Sequence, residues 1–243
     1  MFYKCIFKFI FTTFFFTTMI SSVAAYTDSD GHVFNFSYTY TPNESIIETR
    51  QYYEAAASVL DSYNQQAAQY ITSQGWTSQY IRGATIKYNC HSYAWHSQAV
   101  NNINWINKLN RYNESNLSLY WTDNSYYLLT TDNWNIPSFV PDGAIVLYAN
   151  DDHSAVKISA TKLISKWGKA GLYEHKPTQA PYDSSLLKFY TIHPYQVSQH
   201  TSSSHKWICH ECNDTLYESH KWANFGTRYR CSICGIISQN IVQ

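Results

Sequence analysis

The chain has 243 residues, of which 44% are hydrophobic and 17% aromatic, and its 17 acidic and 17 basic side chains cancel. This composition allows a buried core and excludes an intrinsically disordered chain. A net charge of zero gives no general attraction for nucleic acid or for an anionic membrane, so neither is expected as a partner.

The first 25 residues have the pattern of a secretory signal peptide. MFYKCIFK supplies lysines, FIFTTFFFTTMI is an apolar stretch of 12 residues, and SSVAA supplies small residues before a cleavage site near Ala24 or Ala25. A stretch of this length, interrupted by threonines, is short for a membrane span, so cleavage is favoured over a retained anchor. We therefore expect a secreted chain without a stable membrane span, and we also expect a monomer.

A strand and a long helix are predicted next. Residues 32–41, HVFNFSYTYT, alternate in the manner of a β-strand. The following TPNE predicts a helix start, with Thr41 as N-cap, Pro42 as first helical residue and Glu44 as capping-box partner. The helix is expected to end at Gly75. Its predicted packing stripe, at helical spacing, is Ile46, Tyr53, Ala56, Leu60, Tyr63, Ala67 and Ile71.

A shorter helix is predicted at Cys90, with Asn89 as its cap, after a short approach at residues 84–89. Residues 101–135 are rich in asparagine, tyrosine and tryptophan, and form either a surface loop or one wall of a substrate groove. Residues 141–159, PDGAIVLYANDDHSAVKIS, predict a turn, a strand, a turn and a strand. TKLISKWG, GLYEHKP and LLKFYTIHPYQV predict three more strands. Helices followed by a run of antiparallel strands predict an α+β fold.

The C-terminal tail has two Cys-x2-Cys pairs, Cys209 with Cys212 and Cys231 with Cys234, separated by 18 residues. Four thiolates can complete the tetrahedral shell of one zinc ion, and this spacing is typical of a zinc ribbon. A closed shell leaves no position for substrate, so the Zn2+ is expected to be structural. In an exported protein the alternative is two disulfides.

Cys90 is the unpaired cysteine of the mature chain, because Cys5 lies in the signal peptide and the tail cysteines account for one another. An unpaired cysteine in an exported protein suggests a reactive thiol, and an imidazolium beside the sulfur favours its ionised form. His153, at the predicted start of a strand, is the best candidate, since His91 would point away from Cys90 and His96 lies off its face. The alternative for Cys90 is a small buried hydrophobic residue.

YNCHSYAW, followed by PDGAIVLYANDDHSAVKIS, resembles the papain-like cell-wall peptidases of the NlpC and CHAP types over about residues 80–176. The segments that match in order are Asn89-Cys90, Pro141-Asp142-Gly143 and His153-Ser154-Ala155-Val156, with Asp142-Gly143 in reverse of the usual Gly-Asp order. The resemblance implies N-terminal helices packed on an antiparallel sheet. It also implies that Cys90 forms a thioester with an amide substrate in peptidoglycan or another peptide, and that His153 serves as the base.

The resemblance further implies a polar residue on the following strand that orients the histidine. Alignment places Ser165 there, a weak orienter; Glu174 or His175 could serve instead, or the site could work as a dyad. Two other functions stay open: a non-catalytic secreted or surface binding protein with a papain-like shell, and a thiol acyltransferase. The expected organisation is a signal peptide at 1–25, a papain-like cysteine hydrolase domain at 26–198 and a zinc-ribbon-like domain at 199–243.

Overall fold

The computed structural model describes residues 25–192 and, beyond them, the course of six strands between residues 195 and 238. All but the last residue of the predicted signal peptide lies outside the described residues. Every strand pair in the described part is antiparallel, which confirms a mixed helix and antiparallel-sheet fold. None of the helices described has the length and apolar character needed to cross a membrane.

Strands dominate the described chain. In chain order they are β1 (Tyr26–Thr27), β2 (Val33–Tyr40), β3 (Ile46–Tyr52), β4 (Gln79–Arg82), β5 (Trp105–Ile106), β6 (Tyr127–Asp132), β7 (Ile145–Leu147), β8 (Ser154–Lys157), β9 (Leu163–Lys166), β10 (Leu172–His175), β11 (Leu187–Thr191), β12 (Tyr195–His200), β13 (Ser204–Cys209), β14 (Thr215–Ser219), β15 (Trp222–Phe225), β16 (Arg228–Cys231) and β17 (Ile237–Ser238). The helical segments are α1 (Ala57–Ser73), a π-helical turn (Ser92–His96), α2 (Leu119–Thr122) and a 3-10 turn (Ala149–Asp151).

These strands form two sheets within residues 25–192. The smaller sheet has the order β1-β2-β3-β5, and the larger sheet has the order β4-β10-β9-β8-β7-β11-β6. In the tail, β12-β13-β14 and β15-β16-β17 pair separately. The strand predicted over residues 186–197 is therefore two strands, β11 and β12, in different sheets. The expected domain boundary at residue 198 falls inside β12, whose partner is β13.

The helix start predicted at TPNE is wrong, because this segment is the turn of a hairpin. The Thr41 amide donates to the Ser45 carbonyl, and Glu44 has a φ of 67°, which no helix tolerates. The chain then returns as β3, in which Ile47 and Thr49 are buried on one face. Ile46 and Tyr53 of the predicted stripe thus lie outside a helix.

The predicted end of the long helix is confirmed. α1 begins only at Ala57, and its last residue, Ser73, is followed by Gly75 with a φ of 63°. That left-handed conformation is easy for glycine and is the usual way for a helix to end. Ala67 of the helix is buried in a cluster with Trp167, so the stripe serves packing, as expected.

The larger sheet is covered on both faces. On one face Ile145 and Val156 pack with Tyr93 and Trp95, which follow Cys90 in the chain. On the other face a second cluster contains Tyr148, Ala155 and Phe189, among others. β8 lies in the middle of this sheet, between β7 and β9. His153, which immediately precedes β8, is therefore held between two packed layers.

Candidate functional site

Asn89 fixes the start of the segment that carries Cys90. Its side-chain oxygen accepts hydrogen bonds from the amides of Ser92 (3.1 Å) and Ile106 (3.3 Å), and its side-chain amide donates to the Ile106 carbonyl (2.6 Å). The bond to the third following amide is that of an N-cap residue, so the predicted capping role of Asn89 is confirmed. The same side chain ties the start of the helical turn to β5.

The predicted helix at Cys90 is short, and most of it is a π-helical turn. The Tyr93 amide bonds to the Asn89 carbonyl (2.9 Å), but the Ser97 amide reaches back five residues to the Ser92 carbonyl (2.9 Å). We call residues 90–96 the Cys90 turn. π-helical geometry is rare and is enriched at functional sites.

Ser154, the first residue of β8, links the Cys90 turn to the sheet. The indole N–H of Trp95 can only donate, so the Ser154 hydroxyl oxygen accepts it (2.8 Å). The same hydroxyl is hydrogen-bonded to Nδ1 of His91 (2.8 Å), and burial lowers the pKa of His91 to about 4, so that ring is neutral. The Ser154 amide is within hydrogen-bonding reach of the Cys90 sulfur. The helical turn therefore places Cys90 beside Ser154, the residue that follows His153.

The Cys90 thiol is protonated at rest. The residue is only 5% exposed, and burial raises the pKa of the Cys90 thiol to about 11. The Ser154 and His91 amides and the Lys166 charge act in the opposite direction, because each favours a thiolate. These groups would stabilise a negative charge on the sulfur during a reaction, although burial outweighs them in the resting state.

Lys166 is a buried cation close to this thiol. Its ammonium group donates to the carbonyls of Thr85 (2.9 Å), Gly168 (2.6 Å) and Ala170 and lies over the Tyr88 ring (5.3 Å). Burial lowers the pKa of Lys166 to about 7. The three carbonyl contacts fasten the chain segment before Cys90 to the turn between β9 and β10.

His153 is the most unusual side chain of the site. It is fully buried, and neither ring nitrogen has a hydrogen-bond partner among the described residues. Its ring lies parallel to that of Tyr182, with centroids 3.6 Å apart and an angle of 5° between planes, and edge-on to Tyr148. Burial lowers the pKa of His153 well below its usual value, and nearby His175 and His91 add to the shift. The imidazole is therefore neutral.

The structure brings Cys90 and His153 to the same strand start without a hydrogen bond between their side chains. Because side chains alternate along an extended chain, Ser154 points to the Cys90 turn. The His153 ring points to the face that carries Tyr148 and His175. The resting pair is thus a protonated thiol and a neutral imidazole at neighbouring positions.

Ser165, the residue expected to orient the histidine, is hydrogen-bonded to a different imidazole. Nδ1–H of His175 donates to the Lys176 carbonyl (2.8 Å), so its Nε2 accepts the Ser165 hydroxyl (2.7 Å). Burial lowers the pKa of His175 to about 4, and its ring centroid lies 6.5 Å from that of His153. Glu174, the other alternative, pairs with Lys162.

Tyr182, which stacks on the imidazole, is a residue of the site that sequence reasoning missed. It lies in the irregular segment APYD, after β10. A stacked ring has no characteristic spacing in the sequence. The available signal was an aromatic residue in the loop that follows β10.

Part of the segment 101–135 lines a cleft, and its role as the wall of a substrate groove stays a prediction. Asn101 and Ile103 line a cleft of about 380 Å³ together with Arg82, Thr85 and Tyr88. This cleft borders the approach to Cys90. The segment otherwise contributes β5, α2 and β6 to the fold.

Of the four tail cysteines, Cys209 and Cys231 are the last residues of β13 and β16, and Cys212 and Cys234 lie outside the described residues. In the part of the chain that is described, no group of three or more His, Cys, Asp or Glu side chains is placed to hold a metal ion.

Comparison with known proteins gives no family: no family model, no curated protein and no solved structure matches the chain significantly. The function must therefore be argued from the motifs in the sequence and from the chemistry of the Cys90 and His153 region.

Proposed function

We propose that this chain is a secreted or cell-wall-associated cysteine hydrolase of papain-like type that cleaves an amide bond in peptidoglycan. The observation that carries the proposal is the fully buried His153 ring, whose two nitrogens are unpartnered beside the strand residue that reaches Cys90. The choice of peptidoglycan comes from the resemblance to cell-wall peptidases and from the predicted signal peptide.

A buried polar group without a partner destabilises a folded protein by about 1–3 kcal/mol. Such a group calls for an explanation, and a catalytic role is one of the few available. His153 has two uncompensated nitrogens at the centre of a sheet, and the residue that follows it, Ser154, reaches the unpaired Cys90 through its amide. A base that must accept a proton from a thiol needs a free nitrogen, which a histidine hydrogen-bonded through both nitrogens lacks.

The proposed reaction begins from the neutral pair. The His153 ring must first turn from the Tyr148 face toward Cys90. As the Cys90 sulfur then attacks the amide carbonyl carbon, its proton passes to a free nitrogen of His153. The carbon–nitrogen bond then breaks, the leaving amine takes that proton, and a thioester remains on Cys90. Water next gives a proton to His153 and its hydroxide to the thioester, and the departing sulfur recovers the proton. The Ser154 and His91 amides favour the transient thiolate.

The burial of Cys90 supports a second candidate, a non-catalytic binding protein that keeps a papain-like shell. A thiol acyltransferase would share the thioester step and differ in its acceptor. Added amine separates the two enzymes, because an acyltransferase incorporates the amine and a hydrolase releases acid.

The first prediction is that Cys90→Ala lowers the rate of amide hydrolysis about 1000-fold or more, since the thioester cannot form. The measurement is the release of new amino groups from purified peptidoglycan by the mature chain. Ser92→Ala, two residues further along the Cys90 turn, is the matched control and is expected to retain hydrolysis. Equal hydrolysis by wild type and Cys90→Ala, or binding to peptidoglycan without hydrolysis by either, would contradict the proposal.

We also propose that Cys209, Cys212, Cys231 and Cys234 hold a structural zinc ion. Four thiols in two Cys-x2-Cys pairs are a suitable donor set, and the first cysteine of each pair ends a strand, Cys209 on β13 and Cys231 on β16. The zinc would fasten the tail and take no part in hydrolysis.

The second prediction concerns this metal. The purified chain is expected to contain one zinc ion, which a chelator removes, and Cys212→Ser is expected to lose it. Metal analysis and a thiol titration of the tail under denaturing conditions provide the measurement. Absence of zinc with all four tail thiols oxidised would instead establish the disulfide alternative.

A further inference from the structure

The cleft of about 380 Å³ adjoins the Cys90 turn, because two of the residues that line it also contact that turn. The ring of Tyr88 stacks with the ring of Tyr93, with centroids 6.4 Å apart. The side-chain amide of Asn102 donates to the Ser92 hydroxyl (3.0 Å). A molecule bound in this cleft would therefore lie against the residues that hold Cys90 in place.

The cleft carries two cations that have no carboxylate partner in the described part of the chain. Arg82 and Lys87 both line the cleft and are partly buried, and neither takes part in an ion pair there. The Arg82 guanidinium donates a long hydrogen bond to the Tyr88 hydroxyl (3.5 Å). A guanidinium has five N–H donors, so donors remain for a ligand.

The acidic residue of the cleft, Glu54, does not neutralise these cations, because the protein already engages both of its oxygens. Oε1 accepts the Ile86 amide (3.1 Å), and Oε2 accepts the Thr85 hydroxyl (2.6 Å). These bonds fasten the carboxylate to the wall of the cleft. Two cations and one carboxylate give the lining residues a net charge of +1, which favours an anionic ligand.

The cleft also has an exposed apolar part, formed by Val100 and Ile103. These side chains are 73% and 44% exposed. Ligand pockets commonly combine apolar lining with a few polar groups that fix the orientation of the ligand, and a volume of about 300–1,000 Å³ is typical. The cleft is thus large enough for a segment of a peptide and exceeds what a single carboxylate requires.

We propose that this cleft binds a peptide through a carboxylate group, which Arg82 and Lys87 hold by charge-assisted hydrogen bonds, while Val100 and Ile103 contact the apolar part of the peptide. An acidic side chain and a free C-terminus offer the same group. That the bound peptide is the substrate rests on the proposed function. In that case the anchored carboxylate restrains a neighbouring amide bond beside the Cys90 turn.

The test is the binding of three peptides to the mature chain with Cys90→Ala, measured by isothermal titration calorimetry. The peptides are acetyl-Ala-Glu-Ala-amide, its uncharged analogue acetyl-Ala-Gln-Ala-amide, and acetyl-Ala-Gln-Ala with a free C-terminus. At least one of the two charged peptides is expected to bind about tenfold more tightly than the uncharged one, and which of them does so identifies the source of the carboxylate. Equal affinities, or no binding of either charged peptide at millimolar concentration, would overturn the inference.

Charge-deleting variants locate the binding group. Arg82→Gln and Lys87→Gln are each expected to reduce the preference for the charged peptide about fivefold or more. Lys176→Gln is the matched control, because it deletes an exposed lysine that lines a different cleft, and it is expected to keep the preference within about twofold.

If Arg82→Gln loses its near-ultraviolet circular dichroism, Lys87→Gln decides, since the Lys87 side chain has no hydrogen bond to lose within the described chain. A preference that survives in a folded Lys87→Gln chain and in a folded Arg82→Gln chain would show that the carboxylate binds elsewhere.

Hydrolysis distinguishes this inference from the proposed function. Preferential binding of a charged peptide by Cys90→Ala, with no amide hydrolysis by the wild-type chain, would leave the carboxylate site standing and remove the hydrolase. Hydrolysis of peptidoglycan by the wild-type chain, with equal affinity for all three peptides, would remove the carboxylate site and leave the hydrolase.

Discussion

Replacing His153 with phenylalanine is expected to raise the free energy of unfolding by about 1 kcal/mol while abolishing thiol-dependent hydrolysis. The phenyl ring can stack on Tyr182 as the imidazole does, and it carries no polar atoms to desolvate. Most substitutions of a fully buried residue destabilise a protein, so a gain in stability would be a distinctive result. Loss of function with a gain of stability is the mark of a residue retained for chemistry. Urea unfolding at pH 7.5 measures the change.

His175→Phe is the matched control for this experiment. It removes a buried histidine from the same sheet face, but one whose two nitrogens bond to Ser165 and to the Lys176 carbonyl. The Ser165 hydroxyl would be left buried and unpaired, so the free energy of unfolding is expected to fall by about 1–3 kcal/mol. If His153→Phe destabilises the chain as much as His175→Phe does, the His153 ring is structural.

Acid is expected to destabilise the fold steeply between pH 6.5 and pH 4. Burial lowers the pKa of His91 to about 4 and that of His175 to about 4, whereas the unfolded chain binds these protons near pH 6.5. Below pH 6.5 the unfolded state therefore binds more protons than the native state, and the free energy of unfolding falls as the pH falls. The loss is about 3 kcal/mol for each of the two rings at pH 4. Burial also lowers the pKa of His153 well below its usual value, so this ring adds to the loss in the same direction.

Urea unfolding at a series of pH values from 7.5 to 4 measures this dependence. The His175→Phe variant supplies an internal check, because it lacks one titrating ring and should show a shallower slope from its lower starting stability. Asp28 and Asp123 have lowered pKa values and so protonate below this window. A free energy of unfolding that stays constant from pH 6.5 to pH 4 would show that the imidazoles are not buried in neutral form.

Local sequence patterns predicted the elements whose contacts are local. The alternation of residues 32–41 predicted β2, the turn chemistry of residues 141–159 predicted β7 and β8, and Gly75 predicted the end of α1. The hairpin at Thr41 was missed because its stability comes from distant residues. The Thr41 hydroxyl bonds to Asp123, and the Asn43 amide bonds to Ser125. No pattern around TPNE carries that information.

The same limit applies to the site. Cys90 and Asn89 stand out in the sequence because an unpaired cysteine and a capping asparagine have local signals. The contacts of His153 are tertiary: Tyr182 comes from the loop after β10, and Ser165 turns to His175 because both side chains lie on one face of adjacent strands. Which polar side chain bonds to which ring depends on sheet register, which the sequence does not display.

In the proposed reaction the Cys90 sulfur becomes acylated, with His153 as the proton acceptor. Its most direct test is an acid quench of the wild-type chain during peptidoglycan hydrolysis, with mass analysis of the tryptic peptide 88–108. We expect an acyl adduct on Cys90 whose mass matches the carbonyl side of the cleaved bond, and no adduct in the His153→Phe chain. Hydrolysis that proceeds with this peptide unmodified, and equally fast after Cys90→Ala, would contradict it.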